Sequence, residues 1–309
     1  MSVLLLSHRA CLDHDAGSDH PECPGRLRAL LRALEHPDFL LLQRDEAPRA
    51  TAEQLTRVHP AEYVDAILGI RPAPGHRFAL DPDTWMSSGS AEAALRAAGA
   101  AVQAVDEVAT GRVRRAFCAT RPPGHHAEPG KPMGFCLFAN AAIAARHAQA
   151  AHGFSRVAVV DFDVHHGNGT QAAFERDPSV LFLSSHQSPC YPGTGAAHET
   201  GVGNIVNAPL PPGAGGMAFR AAWAETLLPA LDAFGPGMII VSAGFDAHAA
   251  DPLAQLRVRE PDFAWLTAEI CDAADRMCGG RVVSLLEGGY DLDALASSAA
   301  THVRGLMGL

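Results

Sequence analysis

Short, continuous runs of apolar residues alternate with longer stretches of helical periodicity along most of the chain. Residues 3–6, Val-Leu-Leu-Leu, predict a first buried strand. A polar segment rich in His, Asp and Gly follows, then a helix over 24–35 and a second over 61–68. Residues 72–82 form a proline-containing loop, and residues 91–109 carry a strong helical pattern, poor in β-branched residues, that stops before Gly111. Beyond it, strands are predicted at 116–119, 157–160, 180–184, 238–242 and 282–286. Helices are predicted between them at 140–151, 169–175, 223–234 and 261–278. Strands that are apolar throughout and separated by helices imply a parallel sheet covered on both faces. No repeat, linker or low-complexity stretch interrupts the pattern, so residues 1–309 are read as one α/β domain.

Composition narrows the function classes. A chain that is 48% hydrophobic and 19% charged has ample material for a core. Its formal net charge of −10 argues against a nucleic-acid partner, because such binding runs on clustered Lys and Arg. Lys131 is the only lysine, and the bias towards Ala and Arg points to a bacterial, GC-rich gene. The seven cysteines are scattered and lack a CxxC pair, which argues against a disulfide framework or a cysteine zinc site and fits a reducing cytoplasm. Residues 3–6 are too short for a signal-peptide core, and no run of about 18 apolar residues predicts a membrane span.

The chemistry-bearing residues cluster where the predicted strands end. Residues 157–160 run into Asp161-Phe162-Asp163-Val164-His165-His166-Gly167-Asn168-Gly169, and 238–242 into Ala243-Gly244-Phe245-Asp246. Residues 282–286 run into Glu287-Gly288-Gly289-Tyr290, and 116–119 into Arg121-Pro122-Pro123-Gly124-His125-His126. In open α/β sheets ligands bind beyond the C-terminal strand ends, so four strands would deliver these groups to one crevice.

Asp163 and His165 stand two apart at a strand end, where period two puts both side chains on one side, and Asp246 can join them from a neighbouring strand. Two carboxylates and one imidazole with an open position describe a catalytic zinc site, although iron or cobalt suits the same donors. His125 and His126 are candidates to move protons between water and a leaving amine, with Asp161 or Asn168 as the orienting acceptor. The Tyr290 hydroxyl is a candidate oxyanion donor. Phe135 and Tyr191, in Gly- and Pro-containing loops, are candidate walls of a slot for an alkyl chain.

Taken together, these motifs resemble the histone deacetylase family from about His14 to Tyr290, nearest to its class II branch and the bacterial histone-deacetylase-like amidohydrolases. His20-Pro21-Glu22-Cys23-Pro24-Gly25-Arg26-Leu27, and Asn168 in place of an Asp, carry that closer likeness. The resemblance implies a single-domain, three-layer arginase/deacetylase-like fold with an eight-stranded parallel sheet. It implies Asp163, His165 and Asp246 as zinc ligands, His126 as principal base and acid, His125 tied to Asp161 as its electrostatic aid, and Tyr290 at the oxyanion. It further implies Phe135, Gly134 and Tyr191 along the tunnel, Arg26 near a product channel and Asp83 at the rim. A structural potassium is implied at Asp161, Asp163, His165, Ser184 and Ser185, and a second at Phe174, Asp177 and Val180.

The family divides between acyl-lysine hydrolases and acetylpolyamine hydrolases. Where one polyamine branch carries a gatekeeper Glu, this chain has Leu253, and an apolar rim does not offset the desolvation of a second ammonium group. An acyl-lysine peptide or protein, or a less charged acylated amine, is therefore the expected substrate, with acetylpolyamine hydrolysis as the alternative. An arginase-like enzyme with two manganese ions would need further Asp ligands where His126, Gly167 and Asn168 stand. A non-enzymatic binding module would be expected to lack a ligand or Tyr290. A homo-oligomer is left open.

Overall fold

A computed structural model describes residues 2–309. The first half of the chain contains β1 (Val3–Ser7), α1 (Pro24–Ala33), β2 (Gln43–Glu46), α2 (Ala52–Leu55), α3 (Ala61–Gly69), the small pair β3 (Phe78–Ala79) and β4 (Trp85–Met86), α4 (Ser90–Ala109), β5 (Arg115–Cys118) and α5 (Asn140–His152). The second half adds β6 (Val157–Asp161), α6 (Asn168–Phe174), β7 (Val180–Gln187), β8 (Ile205–Leu210), α7 (Gly216–Ala222), α8 (Leu228–Phe234), β9 (Met238–Ala243), α9 (Glu260–Cys278), β10 (Val282–Leu286) and α10 (Leu292–Met307). Eight strands form one parallel sheet in the order β2-β1-β5-β10-β9-β6-β7-β8.

Both faces of the sheet are buried, and β6 shows why its sequence is apolar throughout. Val157 and Val159 point into the core shared with α4 and α5, whereas Ala158 and Val160 point into the core shared with α1, α9 and α10. Strand periodicity sends alternate residues to opposite faces, so a centrally placed strand has no polar side to display. The four strands that end in polar clusters, β5, β10, β9 and β6, are consecutive neighbours, which brings their C-terminal loops to one crevice.

Several elements lie outside the predicted pattern, among them the short α2 and β4. All four residues of β2 are exposed at the sheet edge, so no hydrophobic run marks them. In β8, Asn207 and Pro209 interrupt the apolar residues, which an edge strand tolerates. α10 was not expected either; its start is fixed by Asp291, whose side chain accepts from Ala294 N–H at 2.8 Å. The helix predicted at 223–234 begins earlier, at Gly216, and passes through a π-helical turn at Trp223–Leu227 before Pro229 resets it. The loop over 72–82 contains β3, which pairs antiparallel with β4.

Candidate active site

Asp163, His165 and Asp246 converge as expected. His165 Nδ1 lies 3.2 Å from Asp163 Oδ1 and 3.1 Å from Asp246 Oδ2, and all three residues are buried. Backbone N–H groups hold the carboxylates in place: Gly288 donates to Asp163 Oδ2 at 2.8 Å and Val164 donates to Asp246 Oδ1 at 2.9 Å. Burial and the neighbouring Asp163 push the Asp246 carboxyl up to about 7. Burial pulls His165 down, but both carboxylates outweigh it and hold the imidazole well above its ordinary value. Two buried carboxylates against one imidazole are short of positive charge, which a divalent cation restores. The site is also cut to size. A Cβ on Gly244 would meet Asp163 Oδ2 at 2.1 Å, and one on Gly288 would meet Asp246 Oδ2 at 2.1 Å. These residues therefore fit a single metal ion of the kind that takes nitrogen and oxygen donors.

The two candidate orienting residues divide between the tandem histidines. His125 Nδ1 lies 3.0 Å from Asp161 Oδ2, and its Nε2 lies 3.8 Å from Asp163. Burial opposes its charge, but Asp163 and Asp161 raise it to about 10. His126 Nδ1 lies 2.8 Å from Asn168 Oδ1. Burial and the neighbouring His125 and His165 hold His126 well below its ordinary value. Glu287 spans the loop beneath them, accepting from Gly124 N–H at 2.7 Å and His125 N–H at 3.1 Å.

A cavity of about 200 Å³ opens onto these groups. His126, His165 and Tyr290 line it, together with Gly134, Phe135, Tyr191, Leu253 and Asp83. His125 does not. Gly134, at φ +56°, packs so tightly that a Cβ would meet the His126 ring at 2.4 Å. Phe135 follows with φ 69°, a costly conformation for a bulky residue, and its ring meets that of Tyr290 at 5.8 Å. Asp83 is raised by burial and by Asp81. Arg26 lies outside the cavity lining. Its guanidinium sits 4.8 Å from the Tyr290 ring centre and donates to the Gly289 and Glu287 carbonyls, so it props the Tyr290 loop from behind.

Ser184 is the β7 register partner of Asp161, which places the first potassium set at neighbouring strand ends, and Ser185 Oγ accepts from Trp223 Nε1 at 2.9 Å. The second set takes a different form. The Phe174, Asp177 and Val180 carbonyls do converge, but on the Asn204 amide nitrogen, at 2.8, 2.9 and 2.7 Å. A side-chain donor thus occupies the place where an ion would gather those oxygens, and these residues do not fit a second potassium.

Sequence reading missed a buried network behind the site. Glu22 takes Arg26 Nη1 at 2.9 Å, Arg121 Nη2 at 2.6 Å and Arg121 Nε, with His14 Nε2 at 3.3 Å. Two guanidiniums on one carboxylate tie the loop before His125 to the N-terminal segment. Asp106 Oδ1 similarly receives His147 and His152, with Nε2 atoms at 2.7 and 2.6 Å. Arg57 donates to His147 Nδ1, so Nε2, which faces Asp106, carries the proton, and the trio staples α4 to α5.

The profile of the histone deacetylase domain matches residues 20–306. The chain belongs to the histone deacetylase family. It is 44% identical over 281 residues to the histone deacetylase-like amidohydrolase of Pseudomonas aeruginosa, covering 89% of this chain and 73% of that one. It is 42% identical over 330 residues to the chloroplastic histone deacetylase 14 of Arabidopsis thaliana, covering 99% and 77%. The crystal structure of the HDA15 HD domain superposes with a TM-score of 0.93 at 38% identity, covering 99% and 88%. Its fold is thus the arginase/deacetylase type, in one α/β domain with eight parallel strands, and membership of the histone deacetylase family makes the protein a hydrolytic deacetylase. No described helix is long and apolar enough to cross a membrane.

Proposed function

We propose that this deacetylase is zinc-dependent and removes acyl groups, acetyl above all, from lysine side chains or related amines. One observation carries the reading: a single narrow cavity has His165, His126 and Tyr290 together in its wall. Asp163, His165 and Asp246 would hold the ion, which when bound supplies Lewis acidity towards water and the acyl carbonyl. His126 faces the cavity and would take a proton from the attacking water at Nε2, then deliver it to the leaving amine. His125, outside the lining and tied to Asp161, stabilises charge next to it. The Tyr290 hydroxyl would donate to the developing oxyanion. Phe135 and Tyr191 would wall the alkyl chain, Gly134 would lie along the scissile amide, and Asp83 would hold the substrate backbone at the rim. A structural potassium at Asp161, Asp163, His165, Ser184 and Ser185 completes the assignment. Seven free thiols suit a reducing cytoplasm.

Leu253 in the lining favours acyl-lysine over acetylpolyamine. The second reading keeps one observation on its side, Asp83 in the cavity lining with Asp81 beside it, which suits a further ammonium group. Turnover of an acetyl-lysine peptide and of N-acetylputrescine, measured side by side, decides between them. The same assay after chelation and zinc return tests the metal: full turnover without transition metal would end the proposal.

A further inference from the structure

The Asn168 side chain is gripped at both ends. Its Oδ1 lies 2.8 Å from His126 Nδ1, and its Nδ2 lies 2.8 Å from Glu128 Oε1 and 3.4 Å from Met133 Sδ. An ionised carboxylate only accepts hydrogen bonds, so Glu128 requires the NH₂ end of the amide. That leaves the oxygen for His126. An amide oxygen also only accepts, so His126 Nδ1 has to be the donor. Nδ1 therefore carries the hydrogen, and Nε2 keeps its lone pair. The carboxylate that starts this chain of constraints is fixed by its own backbone, since Glu128 N–H donates to the Lys131 carbonyl at 2.9 Å and receives the Lys131 N–H in return at 3.3 Å. Asn168 is buried, which leaves its amide little opportunity to reorient towards water.

We propose that Glu128 is a positioning residue that sets the orientation of the Asn168 amide and, through it, the tautomer of His126. The inference rests on the reading of His126 as the base. It also explains why a third residue is needed at all. An aspartate at position 168 would present an acceptor whichever way it turned. An asparagine presents an acceptor at one end and a donor at the other, and only an outside acceptor can choose between them. Glu128 is not itself part of the cavity lining; its charge is felt by the Tyr191 phenol there, but its hydrogen bond towards the tandem histidines runs through Asn168.

The test inverts the choice and then removes the need for it. In E128K a donor replaces the acceptor, the amide turns over, and His126 is pushed to the Nε2–H form. In E128K/N168D the aspartate accepts from both neighbours, and the Nδ1–H form returns. Imidazole ¹⁵N spectra of the full-length protein, labelled at histidine, read the tautomer directly. The wrong tautomer in a base and orienter pair costs on the order of 10⁴ in turnover. A partial inversion should lower kcat on acetyl-lysine peptide about a hundredfold with KM changed less than about threefold. The double variant should recover at least about tenfold in kcat, a rescue that loss of a merely structural contact would not produce. E128A, which removes the acceptor without adding a donor, should give a mixture of tautomers and carries the comparison if E128K does not fold. The spectra do not depend on turnover, so they decide the point even if no acyl amine proves to be a substrate. A wild-type His126 protonated at Nε2, or one that keeps Nδ1–H in every folded variant, overturns the proposal.

Discussion

Gly244 stands so close to Asp163 that a side chain on it would lie 2.1 Å from the carboxylate oxygen Oδ2 and 2.5 Å from Cα. Gly288 meets the same oxygen from the next strand end and donates its N–H there at 2.8 Å. The candidate metal ligands can gather only because β9 and β10 end in residues without side chains at these points. G244A should therefore displace Asp163 and weaken zinc binding by on the order of 10–100-fold, the cost typical of disturbing the groups that orient a ligand. Competition with a chromogenic chelator measures this, with circular dichroism as the control for folding. Wild-type affinity in G244A would remove Asp163 from the ligand set.

Tyr290 presents its ring to Phe135 on one side and to the Arg26 guanidinium on another, which fixes its direction before substrate arrives. Burial holds its hydroxyl well above the ordinary phenol range, so it stays a donor at neutral pH. Y290F keeps the ring and both contacts and deletes only that donor. It should lower kcat by about 10²–10³ with little change in KM, because an oxyanion donor acts mainly in the transition state. Equal losses in binding and turnover would instead make Tyr290 a wall of the tunnel.

How much of this was legible beforehand follows from what a sequence can encode locally. The Asp161–Asn168 run stands out because a continuous apolar strand stops abruptly in carboxylates and imidazoles, and burial makes that costly without a purpose. The β2 strand gives no comparable signal, since every one of its residues is exposed and β1 is its one strand partner. Glu22 and Arg121 are 99 positions apart, and nothing near either one announces the other. From the residues alone Asp161 and Asn168 were both plausible partners for a tandem histidine; the resemblance tied His125 to Asp161, and three-dimensional placement sets Asn168 against His126. Asn204 was invisible for a similar reason, because its role depends on three carbonyls that only the fold brings together.

His302 predicts a pH dependence of stability far from the active site. Thr267 Oγ donates to the Phe263 carbonyl at 2.7 Å, so it accepts from His302 Nδ1–H, and Nε2 is left to accept from Ser284 Oγ at 2.9 Å. Burial lowers this imidazole to about 3. Between that value and the unfolded value near 6.5, the denatured chain takes up a proton that the native one refuses. The contribution is therefore complete above about pH 6.5 and drains by about 1.4 kcal/mol per pH unit as pH falls towards 3. Denaturant melts of wild type and H302Q between pH 6.5 and 4 should differ in slope by about one proton. Parallel curves would show that His302 titrates normally.

Asn204 predicts the potassium content. Its amide nitrogen already serves the Phe174, Asp177 and Val180 carbonyls, so elemental analysis should find one potassium per chain rather than two. N204A removes the amide donor from these oxygens, although the Phe174 and Asp177 carbonyls keep the Asp177 and Val180 N–H groups, at a cost of about 1 kcal/mol in sodium buffer. Part of that loss should return in potassium buffer, as the vacated cage accepts the ion, and melting temperatures in the two salts report it. Two potassium ions bound to the wild type would contradict the substitution of amide for ion.

Leu253 predicts how substrate choice can be moved. It shares the cavity lining with Asp83, and its backbone N–H is anchored on Asp251 at 3.0 Å, so a longer polar side chain there would project from a fixed base. Asp251 also accepts from Tyr290 N–H at 2.7 Å, which couples this rim position to the candidate oxyanion donor without placing Leu253 in contact with the chemistry. A carboxylate at the rim would offset the desolvation of a second ammonium group that leucine leaves uncompensated. L253E should raise kcat/KM for N-acetylputrescine relative to acetyl-lysine peptide by about tenfold, equivalent to about 1.4 kcal/mol of transition-state binding. The gain should shrink as salt is added, since a rim charge is partly screened. If the ratio stays constant in L253E, discrimination lies elsewhere, and the Asp81–Asp83 pair becomes the position to change next.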